Sequence, residues 1–124
     1  MIEYISEEIA GELSKKYPFA PDYYLAEIPQ GWLISTITML RRLDNHLKES
    51  EIDGFKLTNL KEKFGHGAFS ASFLDDTIIK IMDEWAEDTY KTCCMCGKTA
   101  TKYTQAWIRP YCSSCYENTE KFER

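Results

Sequence analysis

Apolar stripes at helical spacing, a glycine-turned pair of alternating segments and two Cys-x-x-Cys pairs predict an α+β fold. A small body of helices and one β-hairpin is expected over residues 1–92, followed by a four-cysteine finger over residues 93–124. Helices are expected at about residues 2–16, 32–49 and 76–92, and the hairpin at about 54–74.

The first helix is read from Ile2, Ile5, Ile9 and Leu13, which recur at helical spacing with Glu and Ser between them. Tyr17-Pro18 stops it, because proline disfavours a helical residue before itself. The stretch "YPFAPDYYLAEIPQG" has three prolines and four aromatics, and reads as an irregular segment packed on the domain. Leu33, Ile37, Leu40, Leu43 and Leu47 share one stripe of a longer helix, with Arg41, Arg42, Asp44 and Lys48 off it. "ESEIDG" ends that helix.

Phe55, Leu57 and Asn59 then alternate with Lys56, Thr58 and Leu60. Phe69, Ala71 and Phe73 alternate with Ser70 and Ser72. The pattern predicts two strands joined at "GHG", residues 65–67, where glycines allow positive φ. Alternation places Lys61 and Lys63 on one strand face and Glu62 and Phe64 on the other. Asp75, Asp76 or Thr77 can cap a third helix with a wide apolar face from Ile78 to Tyr90.

The cysteines carry the clearest chemistry. Cys93-x2-Cys96 and Cys112-x2-Cys115 are separated by fifteen residues. Each such turn aims two sulfurs at one ion, and tetrahedral Zn²⁺ takes four ligands, so one structural Zn²⁺ is expected. Gly97 suits a tight knuckle, "KYTQAWIRPY" has β character, and "CSSCYENTEKFE" looks helical. This is the outline of a treble-clef or zinc-ribbon finger. A Cys₄ set leaves no position open for water or substrate, which favours scaffold over catalysis. A disulfide reading is weaker, because the acidic N-terminus is unlike a signal peptide and points to a reducing cytoplasm, and a redox reading is weaker still, because thiol exchange does not need two pairs at metal spacing. Cys94 is the surplus cysteine and reads as a small buried thiol.

The net charge is −5 and is unevenly placed. Residues 1–90 hold 17 acidic and 9 basic side chains, and residues 91–124 hold 3 and 6. That balance disfavours non-specific nucleic-acid binding, which needs a clear positive field. No run of about 18 apolar residues suggests a membrane span. No Ser-His-Asp order, phosphate-binding loop or zinc-protease motif is present, so an enzyme is not expected. His46 reads as a surface residue and His66 as a solvated turn residue. The acidic run from Asp83 to Asp88 is the most plausible second metal or partner site.

Several of these segments together resemble a family of small bacteriophage and prophage proteins. The resemblance rests on a tryptophan-started helix ("GWLISTITMLRRL"), a "KEKFG" strand turning into an aromatic one ("LKEKFGHGAFSASF"), a "CMCG" knuckle and a "WIRPYC" segment, across about residues 30–116. Members of that family often close the finger with histidine where this chain has Cys115, and carry a bulky apolar or basic residue where this chain has "HGAFS". The resemblance implies a phage setting and no settled activity.

Three functions follow as expectations. The first is an interaction protein that binds a host or phage protein, with inhibition of a host or defence protein as one outcome; an exposed aromatic patch involving Tyr23, Tyr24 or Trp107 would support it. The second is a nucleic-acid-binding regulator using the finger. The third is a metal-dependent nuclease using acidic residues and His66. Candidate contact residues are Lys98, Lys102, Arg109, Trp107, Lys61, Lys63 and His66, with Lys91 and Tyr103 added in the nucleic-acid reading.

Overall fold

The computed structural model describes residues 2–119. Its elements in chain order are α1 (Glu7–Lys16), α2 (Asp22–Leu25), a 3-10 turn (Gln30–Trp32), α3 (Leu33–Glu49), β1 (Leu57–Lys63), β2 (His66–Ala71), α4 (Asp76–Tyr90), β3 (Lys102–Tyr103), β4 (Pro110–Tyr111) and α5 (Ser113–Glu117). β1–β2 and β3–β4 are separate two-stranded antiparallel sheets, so the molecule is mixed α and β as expected. The expected helix over "CSSCYENTEKFE" ends at Glu117, and its residues 120–123 lie outside the described residues.

The first helix starts later than its stripe suggests. Ser6 is the N-cap, its hydroxyl accepting the Ile9 amide, and Glu7 and Glu8 complement the positive helix end. Residues before it are extended: Tyr4 bridges Pro29, and the Ile5 amide bonds the Ile28 carbonyl at 2.8 Å. Ile5 is therefore buried through an extended segment, while Ile9 is exposed. The proline-rich stretch is packed as predicted, with Ala20, Leu25 and Ile28 fully buried.

α3 and α4 lie against each other, and the β1–β2 hairpin covers α4. Leu40, Leu43 and Leu47 of α3 meet Ile78, Ile81, Met82 and Trp85 of α4 in one core with Leu57 and Leu60. Trp85 donates its indole N–H to the Thr36 hydroxyl at 3.2 Å, satisfying both buried polar groups. Asp75 is the N-cap of α4, accepting the Ile78 amide at 2.7 Å. Its other oxygen lies 2.8 Å from Nε2 of His46. His46 is thus half-buried and clamps the end of α3 to the start of α4, which corrects its reading as a surface residue.

Two details of the hairpin also differ from expectation. Lys63 pairs with His66, so the turn residues are Phe64 and Gly65, both at positive φ (52° and 87°). The turn lies one residue earlier than "GHG" because two residues with φ > 0 are what a tight two-residue hairpin loop requires. Gly67 is needed for close packing instead. A Cβ there would fall 2.5 Å from the Trp85 ring, so the strand lies directly on the indole. The register also slips between Leu57 and Asn59. That bulge turns Leu60 to the buried side with Leu57, which simple alternation places on the opposite face.

Candidate metal centre

The knuckle forms because residues 91–100 fold back on themselves. Thr92 bridges Thr99, the Ala100 amide bonds the Lys91 carbonyl, and the Cys93 amide bonds the Lys98 carbonyl at 2.7 Å. Gly97, at φ 85°, donates its amide to the Cys93 carbonyl at 3.0 Å. The chain then makes the β3–β4 hairpin and delivers Cys112 as the N-cap of α5 and Cys115 within its first turn.

The sulfurs of Cys93, Cys96, Cys112 and Cys115 all lie within 4.8 Å of one another, and Cys96 and Cys112 are 3.6 Å apart. A tetrahedral Zn²⁺ with Zn–S bonds of about 2.3 Å needs sulfurs about 3.8 Å apart. The four thiols therefore fit one tetrahedral metal ion, and among the described residues no other group brings three or more metal-ligating side chains together. The amide of Cys115 at the start of α5 stabilises the Cys112 thiolate and lowers its pKa to about 7. Burial pushes the thiols of Cys96 and Cys115 upward. Cys94 takes no part: it is fully buried, and burial, reinforced by Cys93, raises its thiol to about 12.

The knuckle is tied into the body. Gly31, just before α3, donates its amide to the Cys94 carbonyl at 2.9 Å, and Trp32 donates its indole N–H to the Thr92 carbonyl at 3.0 Å. The side-chain amide of Gln30 reaches the Met95 carbonyl at 3.3 Å. A Cβ on Gly31 would stand 2.2 Å from the Cys93 carbonyl oxygen, so the two backbones meet with no space for a side chain. Sequence reasoning does not find this junction; "QGW" ahead of a helix is its only trace.

The candidate contact residues divide into groups. Lys61 and Lys63 are exposed on β1. Glu62 turns back to accept the Gly65 amide at 3.0 Å, in place of a cross-strand charge pair. Trp107 is 70% exposed on the β3–β4 loop, beside the partly exposed Ile108 and half-buried Arg109. Gly65 of the hairpin turn sits against Ile108, so the "KEKFG" turn and the "WIR" loop meet in space. Lys98 and Lys102 are exposed elsewhere on the finger. Tyr23 is exposed beside the half-buried Tyr24, with ring centroids 4.6 Å apart.

His66 lies at the start of β2 and lines a groove of about 480 Å³ with Asp83, Ala86, Glu87, Tyr90 and Lys91. His66 and two members of the acidic run therefore share one depression, as a groove wall and without forming a metal cluster. Tyr90 is braced from behind by Tyr103, which stacks on it at 4.7 Å and donates its hydroxyl to the Tyr90 carbonyl. No helix among the described residues is long and apolar enough to cross a membrane.

No family model matches the chain, and neither the curated proteins nor the solved structures contain a significant match to it.

Proposed function

We propose that the protein is a zinc-stabilised interaction module of the phage type, in which a treble-clef finger and the β1–β2 hairpin together present a surface that binds, and inhibits, a host or defence protein. One Zn²⁺ on Cys93, Cys96, Cys112 and Cys115 is structural. The knuckle offers Cys93 and Cys96, and after the β3–β4 hairpin the start of α5 offers Cys112 and Cys115, an order that supports a treble-clef reading.

The observation that carries this reading is Phe64. It is 66% exposed, yet occupies a left-handed turn position at φ 52°. That conformation costs a bulky side chain about 1–2 kcal/mol, and Asn would adopt it more readily. An aromatic side chain held there, exposed, gains nothing for the core. Phe64 directly precedes Gly65, which lies against Ile108, the residue after exposed Trp107. Strain retained at an exposed aromatic is what a binding residue looks like, and aromatic anchors dominate protein interfaces.

The test is affinity capture from bacterial lysate with nuclease present, using wild type, Phe64→Asn and Trp107→Ala. The expected result is one dominant protein captured by wild type and lost from both variants. Phe64→Asn should at the same time be about 1 kcal/mol more stable to denaturant. A partner retained by both variants overturns the surface.

A second reading draws on the basic side chains near those aromatics. The Lys63 ammonium lies 5.8 Å from the Phe64 ring centre, and Arg109 follows Trp107 by two residues. Such pairs suit single-stranded nucleic acid. Recovery of nucleic acid, with proteins lost after nuclease treatment, would shift the function to that reading.

A further inference from the structure

We propose that the groove between β2 and α4 receives an arginine side chain of the partner, an inference that rests on the protein-interaction reading above. Its lining sets two carboxylates, Asp83 and Glu87, and the His66 ring against one cation, Lys91. Asp83 and Glu87 stand one helical turn apart on α4. Among the described residues neither takes part in an ion pair or a side-chain hydrogen bond. Their neighbours do: Glu84 holds Arg42 at 2.8 Å, and Asp88 holds Ser35.

His66 stands in the same lining. Its Nδ1 lies 2.9 Å from the Gly67 carbonyl oxygen. A carbonyl can only accept, so Nδ1 carries a proton, and in the neutral form of the ring Nε2 is the acceptor. The ring is fixed in this tautomer by a strand that is itself pinned, because the Gly67 amide donates to the buried Thr89 hydroxyl at 2.8 Å.

Between these acceptors lie Ala86 and Tyr90, the latter preset by its stack on Tyr103. An apolar floor flanked by two carboxylates calls for a ligand with an aliphatic stem and several donors around a positive charge. Arginine has that form: three methylenes, then a planar guanidinium with five N–H groups that also stacks on aromatic faces. A volume of about 480 Å³ accommodates it with flanking peptide. Lys91, just past the end of α4, is the cation of the lining and suits a carbonyl of that peptide. The body around the groove is strongly acidic, so a basic segment is steered toward it.

The experiment is a titration of the full-length zinc-loaded protein, isotopically labelled and read by amide NMR shifts. The probes are three capped tripeptides, acetyl-Gly-X-Gly-amide, with X arginine, norleucine or glutamate. The arginine peptide should give saturable shifts at Gly67, Ala86, Glu87 and Lys91, and the other two should not. Affinity should fall about tenfold or more in Asp83→Asn/Glu87→Gln, which changes only exposed side chains, because charge-assisted hydrogen bonds are lost. Absence of saturation with arginine, equal shifts with norleucine, or unchanged affinity in the double variant overturns the proposal. The two readings fail separately. A captured protein that needs Trp107 but not Asp83 and Glu87 removes the groove alone. Arginine-specific shifts without any protein captured remove the interaction reading of the aromatic surface.

Discussion

The body and the finger are held together by different physics. In residues 2–92 an apolar core runs from Ile5 through Leu40, Leu43 and Leu60 to Met82 and Trp85, and the secondary structure is long enough to build it. In residues 93–119 the strands have two residues each and the helix five, and buried side chains are few beyond the cysteines, Thr104 and Tyr111. Cys93, Cys94, Tyr111 and Cys112 join the edge of the body's core, but so small a unit gains little from burial, and an ion held by the four thiols would supply the difference. The two regions nonetheless share a seam at Gly31 and Trp32, so the influence of an ion at the four thiols would extend past residue 93 into the body.

Removing a thiol tests that comparison most severely. Cys96→Ser, or a strong chelator, should abolish stoichiometric Zn²⁺ binding and unfold the finger, since a structural site is worth on the order of 10 kcal/mol of apparent binding free energy. Hydrogen exchange should also quicken at the Gly31 amide and the Trp32 indole while the centres of α3 and α4 stay protected. Unchanged exchange at Gly31 would show that the seam carries no energy.

Gly31→Ala attacks the seam with every zinc ligand in place. The new Cβ would meet backbone atoms of Cys93 and Cys94, which cannot swing aside like a side chain. A loss of about 1–3 kcal/mol is expected in denaturant unfolding, with weaker zinc affinity. A loss of stability without change in zinc affinity would separate the two regions.

A third effect belongs to the body alone. The Ile78 amide and, second, His46 hold the Asp75 carboxyl below its ordinary value. A depressed carboxyl contributes stability above its unfolded pKa of about 3.9 and loses it as pH falls through the lower folded value. The melting-temperature difference between wild type and Asp75→Ala should hold steady above about pH 4 and shrink below it. Zinc loss at low pH affects both proteins alike and drops out of the difference.

The smallest effect is a gain. Glu51 follows α3 at φ 52°, in the left-handed position where helices most often place glycine. The Ile52 amide bonds the Leu47 carbonyl and the Glu51 amide bonds that of Lys48, so the cap is fully formed. Glu51→Gly should raise stability by about 0.5–1 kcal/mol, read as a higher denaturant midpoint and no change in zinc content.

The sequence by itself determined the helices α3 and α4, the hairpin and which four thiols cluster as a metal-fitting set. Apolar spacing and Cys-x-x-Cys spacing are local patterns, set by helical pitch and by the reach of two thiols across one turn. Asp75 as a cap was legible for the same reason. What tertiary structure decided was everything requiring two distant segments to meet. The Leu57–Asn59 bulge exists because Leu57 and Leu60 must both reach the core, a demand that alternation along one strand does not express. Gly67 and Gly31 are glycines because a tryptophan ring and another backbone lie where their Cβ atoms would be. His46 reads as a surface residue until Asp75, 29 positions away, is packed beside it. The groove gathers His66 from a strand with Asp83 and Glu87 from a helix, and only the packing of β2 on α4 brings them to one place.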